Sequence, residues 1–257
     1  MTPDEPAVLT ERRGSTLLIT LNRPEARNAV NAALASGVAA ALDELDSDAD
    51  LQVGVITGAG AGFCAGMDLK AFVRGESPHV EGRGFAGIVE RPPRKPLIAA
   101  IEGFAVAGGF EVALSCDLLV AARGAKLGIP EVKRNLVAAG GALLRLPRRL
   151  PYHLAMELAL TGEPILAERG AELGLINRLA EPGGAVDAAF ELADTIAANG
   201  PLALDASKRI LVESAEWSED EAWQRQGEIA GPVFVSKDAR EGATAFSEKR
   251  APVWKGR

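Results

Sequence analysis

Histidine is almost missing from this chain. Its 257 residues contain two, His79 and His153, alongside two cysteines, one tyrosine and three tryptophans. His79 falls in a polar loop and His153 in a helical stretch with Leu154 and Met156, so a Ser-His-Asp or Cys-His arrangement is disfavoured. With only Cys64 and Cys116, and no CxxC or Cys/His cluster, neither a disulfide framework nor a metal site is expected. Cys64 reads as a small core side chain rather than a reactive thiol.

Long apolar runs are missing as well. Stretches such as Leu97–Ile101 and Val112–Leu114 fall far short of the roughly 18 to 20 residues that cross a bilayer. The first residues, Met1–Glu11, carry acids and prolines instead of a signal core. The expectation is a cytoplasmic protein with no membrane partner. A basic excess is also lacking: 28 Lys and Arg stand against 35 Asp and Glu, for a net charge of −7. That balance argues against a nucleic-acid partner, which needs a concentrated basic face. The local exception is the C-terminal group Lys249, Arg250, Lys255 and Arg257.

What is present is a 47% apolar chain, enough to bury a large core. Thr16–Leu21, Leu51–Thr57, Pro96–Ile101 and Asp117–Ala122 read as strands. Apolar residues at helical spacing predict a helix over 31–45, capped by Asn31 or Asn28. Residues 75–87 are polar and glycine-rich, a candidate mobile lid. Residues 103–109 read as a small-residue turn and 110–116 as a buried helix. Helices broken by Pro147 and Pro151 follow, then a short strand over 175–179 and a helix to Ala198; everything after Pro201 reads as helical. The pattern is an α/β core over residues 1–200 with a C-terminal helical region over 201–257.

The glycines Gly58, Gly60 and Gly62 follow a strand, but Phe63 stands where a dinucleotide fingerprint needs its third glycine. A nicotinamide cofactor is therefore not expected. Gly108-Gly109 opens an apolar helix whose first N–H groups lack intrahelical partners. Two such donors, the second from the turn around Phe63–Gly66, would stabilise negative charge on a thioester oxygen; by themselves both clusters are more simply read as tight turns. Glu111 sits among small and apolar residues on that helix, where burial would raise its pKa and suit it to proton transfer. A helix-edge Glu reaching solvent fits the same letters. Glu131 follows Pro130 at a strand-to-helix junction, where an acid also caps a helix.

Taken together, these segments resemble the crotonase (enoyl-CoA hydratase/isomerase) superfamily along nearly the whole chain. Leu21-Asn-Arg-Pro-Glu-Ala-Arg-Asn28 is similar to the family's CoA-contacting turn, and Gly62-Phe-Cys-Ala-Gly-Met-Asp-Leu-Lys70 to its first oxyanion segment. Ile98 through Gly108-Gly-Phe-Glu111 is similar to the second. The resemblance implies a crotonase-like (ClpP/crotonase) spiral of ββα units with helical C-terminal trimerisation, hence a homotrimer or homohexamer. It implies that Cys64 and Gly108 donate the oxyanion N–H groups and that Glu111 and Glu131 are the catalytic acids. Keeping both acids favours hydration of a 2-enoyl-CoA. One carboxylate then activates water for C3 and the other, assigned as Glu131, protonates C2. No cofactor is implied beyond the coenzyme A of the substrate itself.

CoA contacts carried over from the resemblance are Ala26, Arg27, Ala65, Gly66, Met67, Asp68, Leu69 and Lys70, with Phe246 and Lys249 toward the nucleotide end. The C-terminal basic stretch reads equally as a solvated tail. One departure is Ala139, in Ala138-Ala-Gly-Gly-Ala142, where the family often has a glycine beside the water site. The ending Pro252-Val-Trp-Lys-Gly-Arg257 and Gly84-Phe-Ala-Gly-Ile88 resemble carnitinyl-CoA dehydratases, which hydrate crotonobetainyl-CoA. An enoyl-CoA isomerase and a non-catalytic acyl-CoA-binding role are the remaining alternatives.

Overall fold

The computed structural model describes residues 5–257; residues 1–4, the start of the acidic, proline-bearing N-terminal stretch, lie outside them. The chain opens with a hairpin, β1 (Val8–Arg13) and β2 (Thr16–Leu21), then α1 (Ala32–Ser47) and β3 (Val53–Gly58). After α2 (Leu69–Val73) come the small hairpin β4 (His79–Val80) and β5 (Gly84–Phe85), then β6 (Leu97–Ile101), β7 (Phe104–Val106) and α3 (Gly108–Ser115). The next turn of the spiral is β8 (Leu118–Ala122), β9 (Lys126–Gly128), a 3-10 turn over Pro130–Arg134, α4 (Ala142–Arg149) and α5 (Tyr152–Thr161). It closes with β10 (Ile165–Leu166), α6 (Ala167–Glu172), β11 (Arg178–Ala180) and α7 (Ala185–Ala197). Beyond Gly200 come three helices, α8 (Pro201–Glu213), α9 (Glu219–Phe234) and α10 (Lys237–Glu248).

The main sheet has the order β1-β2-β3-β6-β8-β11, parallel except for the β1–β2 hairpin. A second sheet, β10-β9-β7, stands beside it. The segments that leave β6 and β8 each add a strand to the second sheet before turning helical, as β6-β7-α3 and β8-β9 followed by the 3-10 turn. The Cys64–Ala105 bridge adds the segment after β3 to the same layer. This is the ββα spiral.

The central strands are buried on both faces, which is why they read as unbroken apolar runs. On β6, Leu97, Ala99 and Ile101 face the larger core, filled by α1 and α3. Ile98 and Ala100 face the other way, with Val53, Val55 and Val120, onto Ala185, Ala189 and Ala193 of α7. Three alanines at four-residue spacing let that helix lie close to the sheet.

Several sequence expectations need correction. β1 was not read as a strand because, apart from Val8, its residues are exposed and show no alternation. The 103–109 turn contains β7, and the strand expected at 175–179 is Arg178–Ala180. Pro147 lies inside α4, so only Pro151 separates the two helices. The 75–87 segment is no free lid: Arg83 is buried, bonds Asp43 and donates to the Arg91 carbonyl at 3.0 Å, and Phe85 and Ile88 join the main core. The C-terminal tail is held too. Asp238 accepts the Lys255 and Gly256 amides at 2.9 and 2.8 Å, Trp254 donates to the Ala198 carbonyl, and Arg250 pairs with Glu241 and Glu248.

Among the described residues no helix is long and apolar enough to cross a membrane. Asn31 caps α1, accepting the Leu34 amide at 3.0 Å. Asn28 has a different task. It is fully buried at φ 55°, donates to the Ala59 and Gly62 carbonyls at 2.9 Å, and accepts the Arg23 amide at 2.9 Å. It thereby ties the turn before α1 to the glycine-rich turn after β3. Asn28→Ala strands three backbone groups, that of Gly62 buried and those of Arg23 and Ala59 half-buried, and a loss of about 2 kcal/mol is expected in urea unfolding; an unchanged midpoint would show that water replaces these bonds.

Candidate active site

A cavity of about 490 Å³ lies where α2, the β4–β5 hairpin, the entry to α3 and the turn after β9 converge. Its walls carry Glu111 and Glu131 together, with Val106, Ala107 and Gly108 between them and Met67, Leu69, Phe85, Leu136 and Val137 as apolar lining. Clefts of about 590 Å³ beside Trp254 and about 620 Å³ beside Arg250 are larger. Their acids are exposed or already engaged: Asp238 by amides, Glu241 by Arg250, Asp205 by Arg94.

The entry to α3 is built by close approach. A Cβ on Gly109 would fall 2.1 Å from the Cys64 carbonyl oxygen, and one on Gly108 would meet the Phe85 ring at 2.6 Å. Ala107 ahead of them takes φ 52°, a costly conformation for a residue with a Cβ. The result is that the Gly108 amide, first in the helix, faces the cavity with no acceptor among the described residues.

Glu111 follows three residues later and is buried with the rest of α3. Its carboxylate accepts the Ala142 amide at 3.1 Å, and the chain at Gly140 passes so close that a Cβ there would sit 2.5 Å from Oε2. Burial pushes its pKa up to about 7, the amides of Ala142 and Gly140 pull against this, and the charge of Glu131 adds to the rise. Glu131, on the 3-10 turn, is raised by burial as well, with Arg134 opposing. Its Oε2 is buried with no hydrogen-bond partner. Two acids with raised pKa values and one free helix-terminal amide, in a largely apolar pocket, can move protons beside a carbonyl oxygen that gains charge.

The family model described as enoyl-CoA hydratase/isomerase matches residues 11–257. The chain belongs to that family. It is 45% identical to enoyl-CoA hydratase EchA19 of Mycobacterium tuberculosis, over 98% of this chain and 97% of the relative. It is 42% identical to a carnitinyl-CoA dehydratase of Proteus mirabilis, over 95% and 97%. A crystal structure of an enoyl-CoA hydratase from M. tuberculosis superposes with a TM-score of 0.97 at 62% identity, covering 98% of this chain and all of that one.

The family resemblance carried over Cys64 as a donor, and the structure corrects this. Cys64 is fully buried and absent from the cavity wall, its amide donates to the Phe104 carbonyl at 3.3 Å, and its thiol donates to the Asn28 carbonyl. Burial pushes that thiol up to about 12, so it is no nucleophile. In the same turn Ala65 and Met67 line the cavity; the Ala65 amide donates to the Arg27 carbonyl at 3.1 Å, whereas the Met67 amide has no acceptor among the described residues.

Arg27, Met67 and Leu69 line the cavity, and Gly66 packs against Gly108. Ala26 lies beside them in the 3-10 turn Pro24–Ala26. Asp68 is turned to structure: it caps α2 and pairs with Arg23 at 3.0 Å. Lys70, Phe246 and Lys249 do not line the cavity. Ala139 does, with its methyl group exposed; the close glycine is Gly140, so the alanine does not close the site. His79, Phe85, Arg134, Leu136 and Val137 were missed. The β4–β5 register sets His79 opposite Phe85, rings edge-to-face at 5.8 Å, and brings both to the wall.

The raised pKa of Glu111 has a thermodynamic cost. Between its ordinary value of 4.5 and about 7 the folded state binds the extra proton, so stability falls as pH rises through that window. Glu111→Gln removes the penalty. The variant should unfold at higher denaturant than the parent above pH 7, by on the order of 3 kcal/mol at most, with the advantage gone below about pH 4. Equal midpoints at pH 8 would mean that Glu111 is not held above its ordinary range.

Proposed function

We propose that this chain is a 2-enoyl-CoA hydratase, adding water across the double bond of the thioester to give a 3-hydroxyacyl-CoA. The observation that carries the reading is the convergence of Glu111, Glu131 and the unpartnered Gly108 amide on one largely apolar cavity. Family membership supports it, as do relatives that are named hydratases and dehydratases.

The thioester oxygen rests on the Gly108 amide. The second donor is the amide of Met67, which belongs to the cavity wall and, like that of Gly108, has no acceptor among the described residues. Water sits between the two carboxyls. Glu111, fixed by the Gly140 and Ala142 backbone, takes a proton from water as its oxygen bonds C3, and a proton affinity near neutrality makes it a far stronger base than an ordinary carboxylate. The π electrons move to the thioester as an enolate, which collapses as C2 takes the proton of Glu131. The pair begins and ends with one shared proton, so its titration belongs to both residues.

Ala26, Arg27, Gly66 and Lys70 are assigned to coenzyme A near the mouth, Met67 and Leu69 to the cavity itself, and Phe246 and Lys249 to the nucleotide end within a trimer or hexamer. No cofactor beyond the substrate's own CoA is required, and the enzyme is placed in the cytoplasm. The carnitinyl-CoA dehydratase relatives favour a second reading, hydration of crotonobetainyl-CoA.

Incubation with crotonyl-CoA should deplete the enoyl-thioester absorbance, with mass spectrometry recording the gain of one water. Glu111→Gln and Glu131→Gln should each lower kcat by about 10³-fold or more, as expected for loss of a proton-transfer group with its surrounding site. Double-bond migration without water uptake would instead identify an isomerase, and CoA-ester binding without turnover would leave a binding role.

A further inference from the structure

One guanidinium stands where elementary electrostatics disfavours it. Arg145 is the fourth residue of α4, yet its side chain turns back to the helix entry, where Nη1 donates to the Gly140 carbonyl at 3.4 Å. The entry of a helix carries partial positive charge and repels a cation. Burial pulls the pKa of this half-buried group down, and the charge of Arg149 adds to the fall. A charge kept in such a place needs partners that offset the cost.

Its partners belong to the wall of the catalytic cavity. Nη2 donates to the carbonyl of Val89, whose own amide bonds the Phe85 carbonyl at 3.3 Å. Phe85 and Gly140 both line the cavity, and Arg145 does not. The approach of the guanidinium is built into the turn, because a Cβ on Gly141 would collide with Nη1. Gly141 also takes φ 99°, which a residue with a side chain rarely adopts. The same turn meets the acid: a Cβ on Gly140 would sit 2.5 Å from Glu111 Oε2, and the Gly140 and Ala142 amides bond the carboxylate.

We propose that Arg145 is a positioning residue for the hydration: its guanidinium fastens the Gly140–Gly141 turn to the Val89 segment, and that turn holds the Glu111 carboxyl where it takes the proton of water. This deepens the hydratase reading and rests on it. The charge of Arg145 acts as well as its hydrogen bonds. Glu131 pushes the pKa of Glu111 up and Arg145 pulls it down, with Arg27, Arg134 and His79 on the wall of the same cavity. Without Arg145 the turn is released, and Glu111 keeps its proton to higher pH.

The test compares kcat, KM and the pH profile of kcat for crotonyl-CoA hydration in the parent, Arg145→Met and Arg145→Lys. Arg145→Met should lower kcat by about 10- to 100-fold with KM little changed, as expected when a reacting group is misplaced rather than removed. Its acid limb, where Glu111 must lose a proton, should move up by about half a pH unit or more. Arg145→Lys keeps the charge but cannot hold both carbonyls in one fork, so its limb should stay in place while kcat falls by a smaller factor. Arg149→Met is the control: it removes another half-buried cation of α4, one that donates to the Cys116 carbonyl at 3.3 Å instead of to the turn, and its limb should not move.

A parental kcat and limb in Arg145→Met would overturn the inference and leave the hydratase reading standing. A limb that shifts equally in Arg149→Met would also overturn it, by making Arg145 one structural cation among several. Should Arg145→Met fail to fold, Arg145→Lys decides: a lowered kcat with the limb in place supports the inference, and a parental kcat overturns it. A parent that hydrates neither crotonyl-CoA nor crotonobetainyl-CoA would bring down the hydratase reading and this inference with it.

Discussion

The site depends on one unfavourable arrangement, a carboxylate buried on an apolar helix. Glu111 would be an error in a core helix unless the backbone came to meet it, and the backbone does: the chain at Gly140 runs against Oε2 and Ala142 donates to Oε1. These contacts hold the carboxyl in place without restoring its ordinary acidity, because burial outweighs two amides. The same proximity fixes the rest of the molecule. α4 must begin where it does to present Ala142, and α3 must begin at Gly108, where Ala107 accepts positive φ and Gly109 admits the Cys64 carbonyl. Stability is given up locally at a carboxylate whose proton affinity lies near neutrality, the range that suits proton transfer.

Much of this was legible in the sequence, and the reasons are physical. The central strands announced themselves because both faces are buried. Glu111 stood out because a charge among small apolar residues demands an explanation. β1 was invisible because, apart from Val8, its residues are exposed and its neighbour supplies the hydrogen bonds, not the core. The 75–87 segment misled because glycine and charge suggest solvent, whereas Arg83 is buried against Asp43 and the Arg91 carbonyl, a pairing across chain distance that no local pattern encodes.

The correction at Cys64 shows the limit more sharply. The resemblance located a turn that reaches the cavity but named an amide in it that is already engaged, since successive amides in a turn point in different directions. Cys64 bonds Phe104 and stitches the segment to β7, while Ala65 and Met67 line the cavity. Residues such as His79, Leu136 and Val137 reached the wall through tertiary placement alone. The family pattern therefore reports the acids and glycine turns of the site, whose spacing along the chain is fixed. The rest of the wall is written in side chains that have no fixed motif, because apolar complementarity imposes no particular residue at any one position.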